Sequence, residues 1–170
     1  MKLLDSAGVR ADDYERADVA RARALPAAIV PYAELAAAPP ADGRRRVGVE
    51  VPNTAAPDQI APFFGRLSLI AVGFPTTGDG RGFSLARRLR RAGFRGVLRA
   101  VGPLIADQFP YALACGFDEI ELPDSSAQRQ TPTQRKRARA TMTLWYQQGY
   151  ARPASILEQR RLARQGGQNV

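Results

Sequence analysis

The stretch that decides the fold is RLSLIAVGFPTTGDGRGFSLARRLRRAGFRGVLRAVG, residues 66–102. Arg66 to Phe74 is a nearly continuous apolar run of one strand's length, as expected of a strand covered on both faces. Pro75 and the closely spaced Gly78, Gly80 and Gly82 break it. Phe83, Ala86, Leu89 and Ala92 then recur at helical spacing among arginines, and Gly93 stands where a left-handed helix cap belongs. Gly96 to Gly102, GVLRAVG, is a second strand. Strand, loop, helix and strand joined this closely make a right-handed βαβ unit with parallel strands.

The same alternation extends in both directions. Ala27 to Tyr32 and Arg46 to Val51 read as strands bounded by turn residues, with a Pro/Gly break at Pro39, Pro40 and Gly43 between them. A short helix starts near Pro57. Downstream, Pro103 to Gly116 reads as a helix that Pro110 kinks or divides. Phe117 to Leu122, FDEIEL, alternates apolar and acidic residues, the pattern of an edge strand. Thr131, Pro132 and Gln134 form a capping box for a helix running to about Gly149. The expected fold is α/β: a mainly parallel sheet of about five strands with helices on both faces. The alternative is a half (β/α) barrel that dimerises. The division is an N-terminal arm over 1–25 containing a hairpin or short helix, a single α/β domain over 26–149, and a C-terminal tail over 150–170.

Composition excludes several classes of chemistry. The chain has no histidine and one cysteine, Cys115. Imidazole-dependent triads, histidine proton shuttles, internal disulfides and cysteine metal clusters are therefore out of reach, and no metal site is expected. In its apolar context Cys115 reads as a buried, inert thiol rather than a redox centre. The opening residues do not read as a signal peptide and no apolar run is long enough to span a membrane, so the expected setting is cytoplasmic. The net charge is +9. Nearly all the basic residues are arginine and alanine is abundant, which points to genome composition as much as to a selected surface and disfavours a nucleic-acid partner.

The glycine loop is the candidate site. In a parallel sheet it lies at the carboxyl ends of the strands, where ligands bind. Gly78, Gly80 and Gly82 allow backbone N–H groups to turn toward one point, the following helix presents unpaired donors, and Arg81 adds a guanidinium fork suited to an oxyanion. Ser84 lies one turn further. No Gly-Lys-Ser/Thr follows, so this is no Walker loop, and Phe83 stands where a dinucleotide fingerprint needs glycine. Asp79 repels anions and serves better to orient Arg81 or cap the helix. The competing reading is a tight turn without a ligand. Arg99, in mid-strand, either faces water from an edge or is held by a carboxylate such as Asp79, Asp107 or Glu119. Gly102, Asp107 and Gln108 lie near the same presumed crevice. The sequence names neither a catalytic residue nor a cofactor.

Four blocks occur in order: DGRGFS (Asp79 to Ser84), LRAVG (Leu98 to Gly102), DQ (Asp107, Gln108) and CGFD (Cys115 to Asp118). Together they resemble the bacterial family known as domain of unknown function 934, whose members carry the label of oxidoreductases involved in sulfite reduction. The resemblance covers about Val47 to Leu122. It implies an accessory role in assimilatory sulfite reduction, with a small oxyanion as ligand or sulfite reductase as partner. The label also implies an alternative, a flavin- or nicotinamide-dependent oxidoreductase; a further alternative is a non-catalytic interaction module for sulfite reductase. The chain departs from the family's Phe-Pro-Lys-Phe-Thr-Asp-Gly-Arg-Gly and Arg-Ala-Val-Gly-Asp patterns. Thr76, Thr77 and Gly78 replace Lys-Phe-Thr, which removes a cation from the loop mouth, and Pro103 replaces the aspartate.

Two features of the C-terminal helix bear on partners. Arg129, Arg135, Lys136, Arg137 and Arg139 form a basic run suited to an acidic protein surface, to nucleic acid or, more often, to a solvated face. Met142, Leu144, Trp145 and Tyr146 do not share one narrow face. The apolar surface they leave predicts a homodimer to which this helix contributes.

Overall fold

The computed structural model describes residues 1–5 and 8–128. The helix expected over 131–149, its basic run, the aromatic residues tied to the homodimer and the tail over 150–170 lie outside the described residues. The eight strands are β1 (Lys2–Asp5), β2 (Val9–Arg10), β3 (Glu15–Arg16), β4 (Ala27–Pro31), β5 (Arg46–Pro52), β6 (Leu69–Gly73), β7 (Val97–Val101) and β8 (Glu119–Leu122). The helices are α1 (Val19–Ala22), α2 (Pro57–Ile60), α3 (Arg81–Arg91), α4 (Gln108–Cys115) and α5 (Asp124–Gln128), with 3₁₀ turns at Tyr32–Ala37 and Ala61–Arg66.

All eight strands form one sheet in the order β2-β1-β8-β7-β6-β5-β4-β3. Strands β3 to β8 are parallel, and β1 and β2 add an antiparallel hairpin beside β8. The expected sheet of about five parallel strands with helices on both faces is thereby overturned. The sheet is mixed and curls into a half-barrel of 217° closure. The half-barrel alternative describes it better.

Chain connectivity requires the curl. Strands β2 and β3 are opposite edges of the sheet, yet only Ala11 to Tyr14 join them. Across a flat eight-stranded sheet those edges would stand about 34 Å apart at ~4.8 Å per strand. The five Cα steps from Arg10 to Glu15 reach at most about 17 Å. The sheet must bend until its edges approach, and residues 11–14 become a strap over the open side.

Strand alternation sorts the side chains onto two faces. On the convex face Ala28, Val30, Val47, Val49, Val51, Ile70, Val72, Leu98, Ala100, Ile120 and Leu122 pack with Leu85, Ala86 and Leu89 of α3 and with Ala112 and Cys115 of α4. Leu85 completes the α3 stripe, whereas Ala92, expected on it, is exposed. Among the described residues no helix covers the concave face. Ile29, Leu69, Ala71 and Val101 form a second, smaller cluster there, against Tyr14 and Val97. Three sequence expectations need correction. Residues 103–107 are loop, so Pro110 falls in the first turn of α4, where a missing N–H costs nothing. Strand β8 lies between β1 and β7 and is not an edge. Its acidic residues alternate because one face of β8 meets arginines inside the half-barrel.

Candidate functional site

Two polar regions occupy the half-barrel, one on its rim and one in its lumen. The rim consists of the loops that follow β6 and β7. They are laced together: the Gln108 amide donates to the Thr77 carbonyl (2.8 Å) and accepts from the Ile105 N–H (3.0 Å), and the Thr77 hydroxyl donates to the Pro103 carbonyl (2.8 Å). Beneath them lies Phe74, its ring against Phe83 and Phe117. A Cβ on Gly82 would stand 2.3 Å from the Phe74 ring, and one on Gly102, where φ is +142°, would stand 2.2 Å from the Phe74 carbonyl oxygen. These two glycines therefore serve close packing around Phe74. Gly78 is exposed with open space above it, and Gly80 meets only the Phe83 ring at ordinary contact distance.

Asp79 folds back onto the start of α3. It accepts from the Arg81 N–H (3.2 Å), from Arg81 Nε (2.9 Å) and from Arg81 Nη2 (2.6 Å). These bonds, with help from the nearby Asn53 amide, hold its carboxyl far below the usual carboxylate range. The bond to Asp79 likewise raises the Arg81 guanidinium. The carboxylate thus both grips the Arg81 guanidinium and accepts from the first N–H of α3, and the two charges largely cancel. Gly80 occupies the cap position of α3 and supplies no side-chain cap. Asn53, only 7% exposed, ends β5's side of the rim, and its Nδ2 has no hydrogen-bond partner among the described residues. Asn53 lies near enough to favour the Asp79 carboxylate but makes no bond of full hydrogen-bonding geometry with it. Ser84 and Asp107 are exposed.

The lumen is built on Arg99, only 1% exposed. Its Nε donates to Glu119 (2.7 Å), Nη1 to Glu121 (3.0 Å) and Asp12 (2.6 Å), and Nη2 to Asp12 (2.8 Å). Arg16 reaches across from the far edge and grips Glu121 with both terminal nitrogens at 2.9 Å, while its Nε donates to Glu50 (2.6 Å). Arg10 adds a longer contact to Glu119 at 3.4 Å. Desolvation works to lower the Arg99 guanidinium, but Asp12 and Glu119 more than offset it and leave it raised. Burial works to raise Asp12, yet hydrogen bonds from Arg99 and the Tyr14 N–H, with the charges of Arg99 and Arg16, leave it below its ordinary value. The Tyr14 ring lies 5.6 Å from the Arg99 guanidinium, and its hydroxyl is 3.2 Å from that of Ser68.

Of the carboxylates expected to hold Arg99, Glu119 does so; Asp79 and Asp107 do not. No hydrogen bond or ion pair joins Arg99 to Arg81, Asp79, Asp107 or Gln108, so the expected residues divide between rim and lumen. Asn53, Glu50, Glu121, Asp12, Tyr14 and Arg16 went unrecognised in the sequence. The period-two spacing of Glu119 and Glu121 was the available signal, since a buried mid-strand arginine demands acids on the facing strand. Among the described residues no cluster of acidic and cysteine side chains is arranged to hold a metal ion.

Residues 48–157 match the family described as a bacterial protein of unknown function, DUF934. The chain belongs to this family. The DUF934 segment carries the whole rim and, in the lumen, Glu50, Arg99, Glu119 and Glu121; the strap with Asp12 and Tyr14 precedes it. No curated protein matches the chain. No described helix is long and apolar enough to cross a membrane.

Proposed function

We propose that this DUF934 protein holds a small oxyanion, or an anionic group of a partner, on the rim between β6 and α3. The observation that carries this reading is the Asn53 Nδ2 donor, buried beside Asp79 at the start of α3 without a hydrogen bond of full geometry. A buried donor without an acceptor costs on the order of 1–3 kcal/mol, which a ligand oxygen would recover. The exposed N–H groups of Gly78 and Gly80 and the Arg81 Nη1 add donors, and the helix dipole favours negative charge there. Asp79 sets the limit: it already neutralises Arg81, so a singly charged, loosely held anion fits better than a phosphate dianion. The family resemblance makes sulfite, held as singly charged hydrogensulfite, the first candidate, in an accessory, cytoplasmic role in sulfite reduction. No reaction forms part of this reading. Calorimetric titration with sulfite, sulfate and phosphate, together with amide shifts of Gly78, Gly80 and the Asn53 side chain, tests it. Sulfite should give heat and move those signals; a folded sample that shows neither with any of the three overturns the reading.

A docking role toward sulfite reductase draws on a different feature. Arg88, Arg91 and Arg95 are exposed and have no carboxylate partner among the described residues, which suits an acidic protein face. Association that persists at high salt contradicts this electrostatic version. The homodimer expected from residues 132–148 is a further part of the proposal; a monomer mass by light scattering at micromolar concentration removes it.

A further inference from the structure

The lumen cluster balances without its outermost member. Arg10, Arg16 and Arg99 face Glu50, Glu119 and Glu121, three cations against three carboxylates. Asp12 is the surplus charge. It also differs from the others in origin: they stand on strands, whereas Asp12 sits in the strap, belongs to no strand and keeps 27% of its side-chain surface exposed. Its two oxygens take Nη1 and Nη2 of Arg99 at 2.6 and 2.8 Å, the fork-on-fork geometry of a bidentate carboxylate ligand. Remove Asp12, and Arg99 keeps Glu119 on Nε and Glu121 on Nη1. Nη2 and one N–H of Nη1 are then left without an acceptor, aimed at the open side of the half-barrel.

We infer that the Arg99 fork is a binding site for a small carboxylate, and that the Asp12 strap occupies it as an internal stand-in for that ligand. The requirements follow from the geometry. The ligand must present two coplanar oxygens to match the guanidinium edge. It must carry a single charge, because Glu119 and Glu121 already stand beside the fork and repel a dianion. It must be small or flat, because the volume it takes is that released when Asp12 and the Tyr14 ring swing out. The exchange is charge-neutral within the lumen. Its cost is the loss of the strap's own contacts, so the intact protein binds such a ligand weakly and a strap without its carboxylate binds it well. This site is distinct from the rim, and either can fail without the other.

The test uses the full chain, acetate as the probe, and ¹⁵N signals of the Arg99 side chain and of the Gly78 and Gly80 amides. In Asp12→Ala, acetate should bind at least about ten-fold more tightly than to the wild-type protein and shift the Arg99 signals. Phosphate should gain less than acetate. Asp12→Asn, which keeps one acceptor on Arg99, guards against loss of the fold; it should show the same shift with a smaller gain in affinity. Folded variants that bind acetate no more tightly than the wild type overturn the inference. So does tighter binding whose shifts fall on Gly78 and Gly80 while Arg99 stays still, since that places the anion on the rim.

Discussion

Arg99→Met removes the charge from the lumen while keeping most of the side chain's length and apolar volume. The structure sets how much this costs. Arg99 is 1% exposed, and its acidic neighbours Glu119 and Glu121 are 4% and 2% exposed. Glu121 retains both terminal nitrogens of Arg16 at 2.9 Å. Glu119 retains only Arg10 at 3.4 Å, while Asp12 loses both of its bonds to Arg99 but keeps 27% of its side-chain surface exposed, so the charge left both buried and poorly paired is Glu119. Breaking a buried pair from one side costs about 3–5 kcal/mol, most of it the penalty of the charge left behind. For a domain of this size, at about 3 °C per kcal/mol, the melting temperature should fall by about 9–15 °C. Neutralising the orphan tests the attribution. Arg99→Met/Glu119→Gln should be more stable than Arg99→Met alone, with a coupling of about 1–3 kcal/mol in the cycle. Thermal and urea denaturation of the four proteins measure it. A loss below about 3 °C for Arg99→Met, or a double variant no more stable than the single one, would refute the claim that Arg99 holds the buried acids.

Three further outcomes follow from particular contacts. Gly102→Ala should cost at least about 2 kcal/mol in urea denaturation, because φ is +142° and the new Cβ meets the Phe74 carbonyl oxygen; Gly78→Ala, in open space, should stay within about 0.5 kcal/mol. Because the folded value of Asp12 lies below the 3.8 of a free aspartate, its contribution is complete above about pH 4 and fades as the pH falls further. The stability gap between wild type and Asp12→Asn should therefore be constant from pH 7 to 5 and close below pH 3.8, and a gap that widens on acidification contradicts the pairing. Asp79→Asn removes the charge that opposes an anion on the rim, so sulfite should bind about five-fold more tightly in calorimetry; weaker binding would mean that Asp79 positions the site rather than repelling its ligand.

The half of the fold that the sequence makes legible is the half with long periodic segments. The strands at 27–31, 46–52, 69–73 and 97–101 and the α3 stripe all announce themselves by apolar runs and period. The strands of the arm do not. Val9–Arg10 and Glu15–Arg16 have two residues each and are exposed, too short to carry an alternation. Missing them concealed the two edges, and with the edges the curl. The curl in turn decides the site. With β8 read as an edge, Glu119 and Glu121 face water and Arg99 has no reason to be buried. With β8 inside a bent sheet, the same residues become the floor of a charged lumen. The rim was easier to read, since glycines, proline and a following helix are local signals, yet the roles of Gly82 and Gly102 depend on where Phe74 lands, which no local pattern encodes.

Curvature and charge are two aspects of one arrangement here. A fully closed barrel hydrogen-bonds its last strand to its first. This sheet stops short, and its two edges are instead tied by arginines to acids on a single strand. Arg10 reaches Glu119 from the β2 edge, and Arg16 reaches Glu121 from the β3 edge. The ties cross the lumen and run through side chains that keep much of their surface in water: Arg10 and Arg16 are 44% and 41% exposed, against 5% and 3% for the acids they meet. Exposed members of such pairs contribute little on their own, and the buried acids are satisfied chiefly by Arg99 and by both nitrogens of Arg16. The helix-backed core on the convex face is a separate cluster that includes none of these charges. The two faces share strands β7 and β8, so the strap's contacts add to the stability of the same sheet. Opening the strap would cost the lumen's own bonds, the loss that Asp12→Asn measures, while the apolar packing of α3 and α4 on the opposite face is left in place.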